Sequence, residues 1–257
     1  MKKSLLITTL ASISLAGYSL AATVFTDDLT SLGSNLEISD TVGTDNAVTF
    51  SASGATFSAV AGNDSRNYIR TTDSDYMSGS YAAEVTWNGL GSAFYGIGGG
   101  NVGTYGTPDW DIADSLWVEL SGSNDDGPVQ GTNPGRFSSS IAPFSGGVVG
   151  DNPSEPVRLR IEYDMTANTV TYLADNNYNG TFSADVFTTA IDLSTIGGGT
   201  YFTEPGDESR FFFGGGSFGA SGPTFSDFSI TAIPEPSSVL MAVMGMGMLA
   251  FTLRRKK

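Results

Sequence analysis

The 257-residue chain contains no cysteine and no histidine. Without cysteine there is no disulfide framework, no thiolate metal ligand and no thiol nucleophile. Without histidine the usual zinc ligand and the commonest general base are missing, and with them every Ser-His-Asp or Cys-His mechanism. Lysine is confined to the two ends of the chain. Of 12 basic residues, six are Lys2, Lys3, Arg254, Arg255, Lys256 and Lys257. Six arginines therefore remain between the ends; setting Glu235 aside, 26 of the 27 acids lie there too, so this region carries a net −20 within a formal total of −15. Such a body repels phosphate backbones, which excludes a nucleic-acid partner. It suits a solvated extracellular surface and divalent cations.

The ends read differently from the middle. Residues 1–21 begin with Lys2 and Lys3, continue with an apolar core from Leu5 to Ala16, and place the small residues Ser19 and Ala21 before Ala22. Charge, core and small-residue site in that order predict a signal peptide cut between Ala21 and Ala22. Residues 237–253 are uncharged and apolar, and four basic residues follow at once. As a helix this run rises about 25 Å, near the lower limit for a membrane span. The basic cluster should stay on the cytoplasmic side.

Immediately before that run stand Ile233, Pro234, Glu235, Pro236 and Ser237. Pro-Glu-Pro, an apolar helix and a basic tail, in that order over residues 234–257, resemble the PEP-CTERM sorting signal. The resemblance implies an exosortase-type membrane protease as partner, acting near Pro234, Glu235 and Pro236. It also implies a bacterium that makes exopolysaccharide or biofilm. The expected itinerary is export, an intermediate anchored in the inner membrane, then the cell envelope, the outer surface or release.

Residues 22–233 show no long helical period. Short β-type runs are broken by Gly, Asn, Asp and Pro, the pattern of antiparallel sandwiches. The clearest run alternates Val157, Leu159, Ile161 and Tyr163 with Arg158, Arg160, Glu162 and Asp164, so the apolar four share one face. A turn at 165–168 and a second run at 169–174 complete a predicted hairpin at the edge of a core. Further strands are predicted at 24–29, 46–50, 55–60, 67–71, 81–87, 93–98, 116–121, 210–214 and 225–232. With the hairpin these make roughly a dozen, enough for two stacked sheets. Trp87, Phe228 and Phe211 to Phe213 are predicted core.

Three segments carry a second resemblance. The opening VFTDDL (24–29), the central LRIEYDMTANTVTYLAD (159–175) and the closing RFFFGGGSFGASGPTFSDFSI (210–230) are similar to concanavalin A-like (laminin G-like) jelly rolls. The resemblance implies an all-β, two-sheet antiparallel sandwich whose last strand lies beside its first. Sugar-binding modules, glycosidases and adhesion domains all use that fold, so it implies no single activity.

Four candidate sites follow. Asp27, Asp28 and Asp227 would approach one another if first and last strands pair, and the resemblance implies calcium there. Asp175 to Gly180 matches the opening of a D-x-[DN]-x-[DN]-G calcium loop, but Val186 stands where the bidentate acid belongs. Asp109, Asp111 and Asp114 have the spacing of a jelly-roll glycosidase triad with Asp at all three places, each one methylene short of Glu. Pro108 suggests instead an acidic loop leading into the 116–121 strand. Tyr105, Trp110 and Asp111 could stack on and bond to a sugar ring. These observations lead to a non-enzymatic adhesion or structural sandwich as the first expectation. The alternatives are a carbohydrate-binding module and a glycosidase-like enzyme.

Overall fold

The computed structural model describes residues 22–39, 48–57, 66–88, 91–102, 112–123, 127–134, 156–195, 209–216 and 222–234. Their strands, in chain order, are β1 (Ala22–Asp27), β2 (Leu36–Ser39), β3 (Val48–Ser51), β4 (Gly54–Phe57), β5 (Arg66–Thr71), β6 (Tyr81–Trp87), β7 (Gly91–Val102) and β8 (Ile112–Ser123). There follow β9 (Gly127–Pro134), β10 (Val157–Asp164), β11 (Thr169–Asp175), β12 (Val186–Phe187), β13 (Ile191–Asp192), β14 (Arg210–Gly216) and β15 (Thr224–Ala232). Two short 3-10 turns, Tyr76–Ser78 and Leu193–Thr195, are the helical elements among the described residues. None of these helices is long and apolar enough to cross a membrane, and residues 237–253 lie outside the described set.

The strands form two antiparallel sheets. The larger runs β12-β11-β10-β6-β15-β4-β3, with β1 also on β15 and β13 also on β11. The smaller runs β2-β5-β14-β7-β8-β9. First and last strands pair, as the jelly-roll resemblance implies: Ala22 lies opposite Ala232 and Asp27 opposite Phe228. β15 is shared along one side by β4, against Thr224 and Phe225, and then by β1. The handover occurs at a bulge between Ser226 and Ser229, where Asp227 has φ +52°. A bulge of this kind re-aims the strand so that its second half meets a different neighbour.

The core lies between the sheets. β10 alternates as its sequence requires, and Val157, Leu159, Ile161 and Tyr163 are all buried. Trp87 and Phe228 join them from β6 and β15, while Ile69, Tyr95, Ile97, Phe211 and Phe213 come from the opposing sheet. Each such side chain contributes about 1.5–3 kcal/mol by leaving water. Two tyrosines tie the sheets in opposite directions. Tyr95 of β7 donates its hydroxyl to the Ala83 carbonyl of β6, and Tyr172 of β11 donates to the Leu116 carbonyl of β8 at 2.7 Å. Both hydroxyls are pushed well above the usual tyrosine range, first by burial.

The hairpin at residues 157–175 is present, with Ile161 opposite Tyr172. It is not at the edge of the core, however: β10 sits inside the sheet between β11 and β6. The strand predicted at 116–121 begins earlier. Ile112 and Ala113 pair with Val102 and Asn101, so the last residues of the acidic run belong to β8 rather than to a loop. A long partner strand supplies ladder bonds that outweigh local turn propensity. β2 and β9 were not among the predicted strands. Both are edge strands, and in β9 Gly127, Pro128 and Pro134 imitate a loop, since proline is tolerated at an edge where no ladder donor is needed.

Candidate functional site

The pairing of β1 with β15 brings the first candidate acids to one region, but each carboxylate is committed to its own neighbourhood. Asp27 Oδ1 accepts the Leu29 N–H at 2.8 Å. A Cβ on Gly33 would come within 1.9 Å of Asp27 Oδ2, so the loop 28–35 closes down on that carboxylate, and a larger residue at 33 would require the Asp27 side chain to turn away. Leu29, fully buried at φ +60°, shows the backbone strain this closure carries. Asp28 Oδ1 accepts both the N–H and the hydroxyl of Thr30, at 3.0 and 2.8 Å. These bonds hold the Asp28 carboxyl below its ordinary range. Asp227 Oδ2 accepts the Ser226 hydroxyl at 3.0 Å. Among the described residues no group of three or more acids is arranged to hold a metal ion. The three carboxylates, placed this way, do not fit a calcium cage.

The loop after β11 is likewise turned on itself. Asp175 Oδ1 accepts the Asn177 N–H at 3.1 Å and Oδ2 the Ser183 N–H at 2.8 Å, while Asp185 Oδ1 accepts the Asn176 N–H at 3.2 Å. Asp175 and Asn176 are buried. These carboxylates cap backbone donors across the loop, which replaces the calcium reading of Asp175 to Gly180 with a self-closed turn.

Under that loop lies a cluster that the sequence does not announce. Arg158 is buried on the far side of β10 from the core. Its guanidinium donates to Glu84 Oε2 at 3.1 Å, Thr86 Oγ1 at 2.9 Å, Ser229 Oγ at 3.1 Å and the Asp227 carbonyl. Tyr178 stacks over it at 5.5 Å, and Phe182 stacks over Arg160 at 5.3 Å. Arg160 bridges Glu84 at 2.9 Å and Glu162 at 2.6 Å. The β15 bulge is thus fixed from beneath: the carbonyl of left-handed Asp227 is held by Arg158. The planar, five-donor fork of arginine is what lets one side chain serve four partners.

The smaller sheet has a second aromatic layer on its outer face. Gly214 lies opposite Tyr68 on one side and Phe94 on the other, and Phe212 is two residues away on the same face. Tyr68 and Phe212 meet edge to face at 5.6 Å, and Tyr68 and Phe94 are tilted at 5.9 Å. All three are buried. Arg70, Arg210 and Glu37 belong to the same face, with Arg70 to Glu37 at 2.7 Å and Arg210 to Glu37 at 3.6 Å. Only the adjacency of Tyr68 and Ile69 in RNYIRT and of three phenylalanines in RFFFGGG hints at this, because consecutive apolar residues on a strand must cover both faces.

Ala22 is the first residue of β1, so the predicted cleavage site abuts the fold directly. Pro234 follows β15 by one residue. Ala21, Tyr105, Asp109, Trp110, Asp111, Glu235 and Pro236 lie outside the described residues.

Residues 232–256 match the PEP-CTERM protein-sorting motif. The chain therefore carries a sorting signal of the exosortase system, beginning on the last residue of β15. No curated protein matches the chain in sequence. In fold it is similar to the winged bean acidic lectin complexed with methyl-α-D-galactose, at 13% identity and a TM-score of 0.50 over 82% of this chain and 99% of that one. Peanut lectin with a nine-residue peptide aligns at 16% identity and a TM-score of 0.49, over 83% and 98%. Arcelin-5, a lectin-like defence protein from Phaseolus vulgaris, aligns at 10% identity and a TM-score of 0.48, over 82% of this chain and 99% of that one. At 13% identity the likeness to the winged bean lectin shows the fold alone, a legume-lectin-like, concanavalin A-like jelly roll.

Proposed function

We propose that this chain is an exported cell-envelope or extracellular-matrix protein whose jelly-roll domain, residues 22–233, has a non-enzymatic adhesive or structural role. Residues 1–21 direct export, residues 237–253 hold the chain in the membrane, and an exosortase-type protease acts on residues 234–257. The observation that carries this reading is the continuity of the sorting motif with the final strand of a lectin-like fold. Its test is fractionation. The full chain should sediment with membranes, and removal of residues 234–257 should release it in soluble form; persistence of the truncated chain in the membrane fraction would refute the anchor. Recovery of Met1 to Leu20 on the envelope protein would refute cleavage of the signal peptide.

The second reading is a carbohydrate-binding module. It is favoured by the likeness to a lectin crystallised with a galactoside, and Tyr105, Trp110 and Asp111 are the residues assigned to a polysaccharide. A glycan array probed with the full chain in detergent separates the two readings: retention of one sugar class, lost in Trp110→Ala, supports the module. A glycosidase-like activity would appear as β-glucan hydrolysis abolished by Asp111→Asn.

A further inference from the structure

We propose that the folded domain is mounted on the membrane by one end of the sandwich, with the end where Ala22, Ser80, Met165 and Ile233 converge resting at the lipid headgroups. This rests on the reading of residues 237–253 as a membrane segment. The last residues of β15 are clamped on both sides: Ala232 lies opposite Ala22 of β1 and opposite Tyr81 of β6. Beyond the strand, the Ile233 N–H donates to the Ser80 carbonyl at 2.8 Å. Ser80 in turn accepts the Met165 N–H on its hydroxyl at 2.9 Å. Ile233 is therefore part of the rigid body.

Only Pro234, Glu235 and Pro236 separate that fixed point from the apolar run beginning at Ser237. Four extended steps span at most about 14 Å. The headgroup layer alone is roughly 5–8 Å deep on each side of the hydrocarbon, and two prolines stiffen the connection. The domain has almost no slack with which to tumble.

The chemistry of the end decides how it meets the lipid. Met165 is exposed there, but so are Asp73, Asp75, Asp164 and Asp192. Asp192 is held below its ordinary range by the hydroxyl and N–H of Ser194, so it stays charged. Carboxylates at this density do not enter hydrocarbon. The end rests on the headgroups without inserting. Across the sandwich, the loop after β11 lies about 20 Å further from the lipid, from six strand steps of about 3.3 Å each.

The absence of cysteine permits single labelling at Ala167, in the turn beside Met165, and at Ala184, in the far loop; both are exposed. Full-length Ala167→Cys and Ala184→Cys, each carrying a fluorophore, are placed in phosphatidylcholine vesicles, with unchanged melting as the check on folding. A headgroup-borne nitroxide should quench the Ala167 label several-fold more than the Ala184 label. A nitroxide deep in the acyl chains should quench neither. Insertion of about a dozen Gly and Ser residues after Ile233 adds a flexible reach of roughly 20 Å and should erase the difference. Flotation with vesicles but equal headgroup quenching at both sites would overturn the mounting alone. Failure to float would overturn the membrane segment and the mounting with it.

Discussion

At Arg158 a charged side chain does the work of a structural bolt. Its four acceptors come from β6 and β15, and Tyr178 closes over it from the loop beyond β11. Lysine keeps the charge but cannot fan out to these acceptors, nor stack as a plane under the ring. Arg158→Lys should therefore cost about 2–3 kcal/mol, from two or more hydrogen bonds left unmade at buried groups. Chemical denaturation measures this, and a loss below about 0.5 kcal/mol would mean the network is ornamental. The tyrosines make a different statement. Tyr95 and Tyr172 are buried and protonated, with folded values raised above the ordinary value of 10.0. Stability from a raised group is complete below the unfolded value and is lost as pH rises toward the folded one. The domain should thus lose stability above about pH 10, with phenolate absorbance from these two residues appearing only as the fold opens. Tyr172→Phe should reduce the alkaline pH dependence by one proton; an unchanged slope would show that Tyr172 ionises in the folded state.

The elements differ in how openly their sequences declare them. In β10 one face is apolar and the other charged, so strand, face and hairpin were all legible; Leu159 and Ile161 are at most 3% exposed. Ile161→Asp places a carboxylate between the sheets, and the cost of several kcal/mol is comparable to the stability of a whole domain. Thermal melting should find the variant unfolded or lowered by many degrees. β14 is harder. Three consecutive phenylalanines read as core, and all are buried, but Phe212 belongs to the outer aromatic layer with Tyr68 rather than to the inter-sheet core. A period of two cannot assign faces when both are apolar. β9 was hidden because its glycines and prolines are compatible with an edge strand. The pairing of β1 with β15 sets Asp27 opposite Phe228, yet sequence could not show that the carboxylates of Asp27, Asp28 and Asp227 are each occupied by a local N–H or hydroxyl. Likewise Arg158, Tyr178 and Asp227 are distant in sequence, and only the folded register brings them together.

For the whole molecule, charge is the dominant property. The region between the ends carries a net −20 and holds together against its own repulsion. Added salt screens that repulsion over a Debye length of about 8 Å at physiological strength, so melting temperature should rise from low salt to that strength. Calcium could act through the same screening or through a site. A site that binds only the folded state adds about 2.7 kcal/mol at a hundredfold excess over its dissociation constant, well beyond what sodium at equal ionic strength supplies. The described carboxylates offer no such site, because Asp27 and Asp28 already serve backbone N–H groups and Asp227 a serine hydroxyl. The comparison is therefore a melt in calcium against sodium at matched ionic strength, in the parent chain and in Asp227→Ala. Equal shifts in both salts are expected. An excess in calcium that persists in Asp227→Ala would locate a calcium site away from the paired ends of β1 and β15. An excess abolished by that substitution would show that the bulge rearranges to admit the ion, against the placement of Asp227 described above.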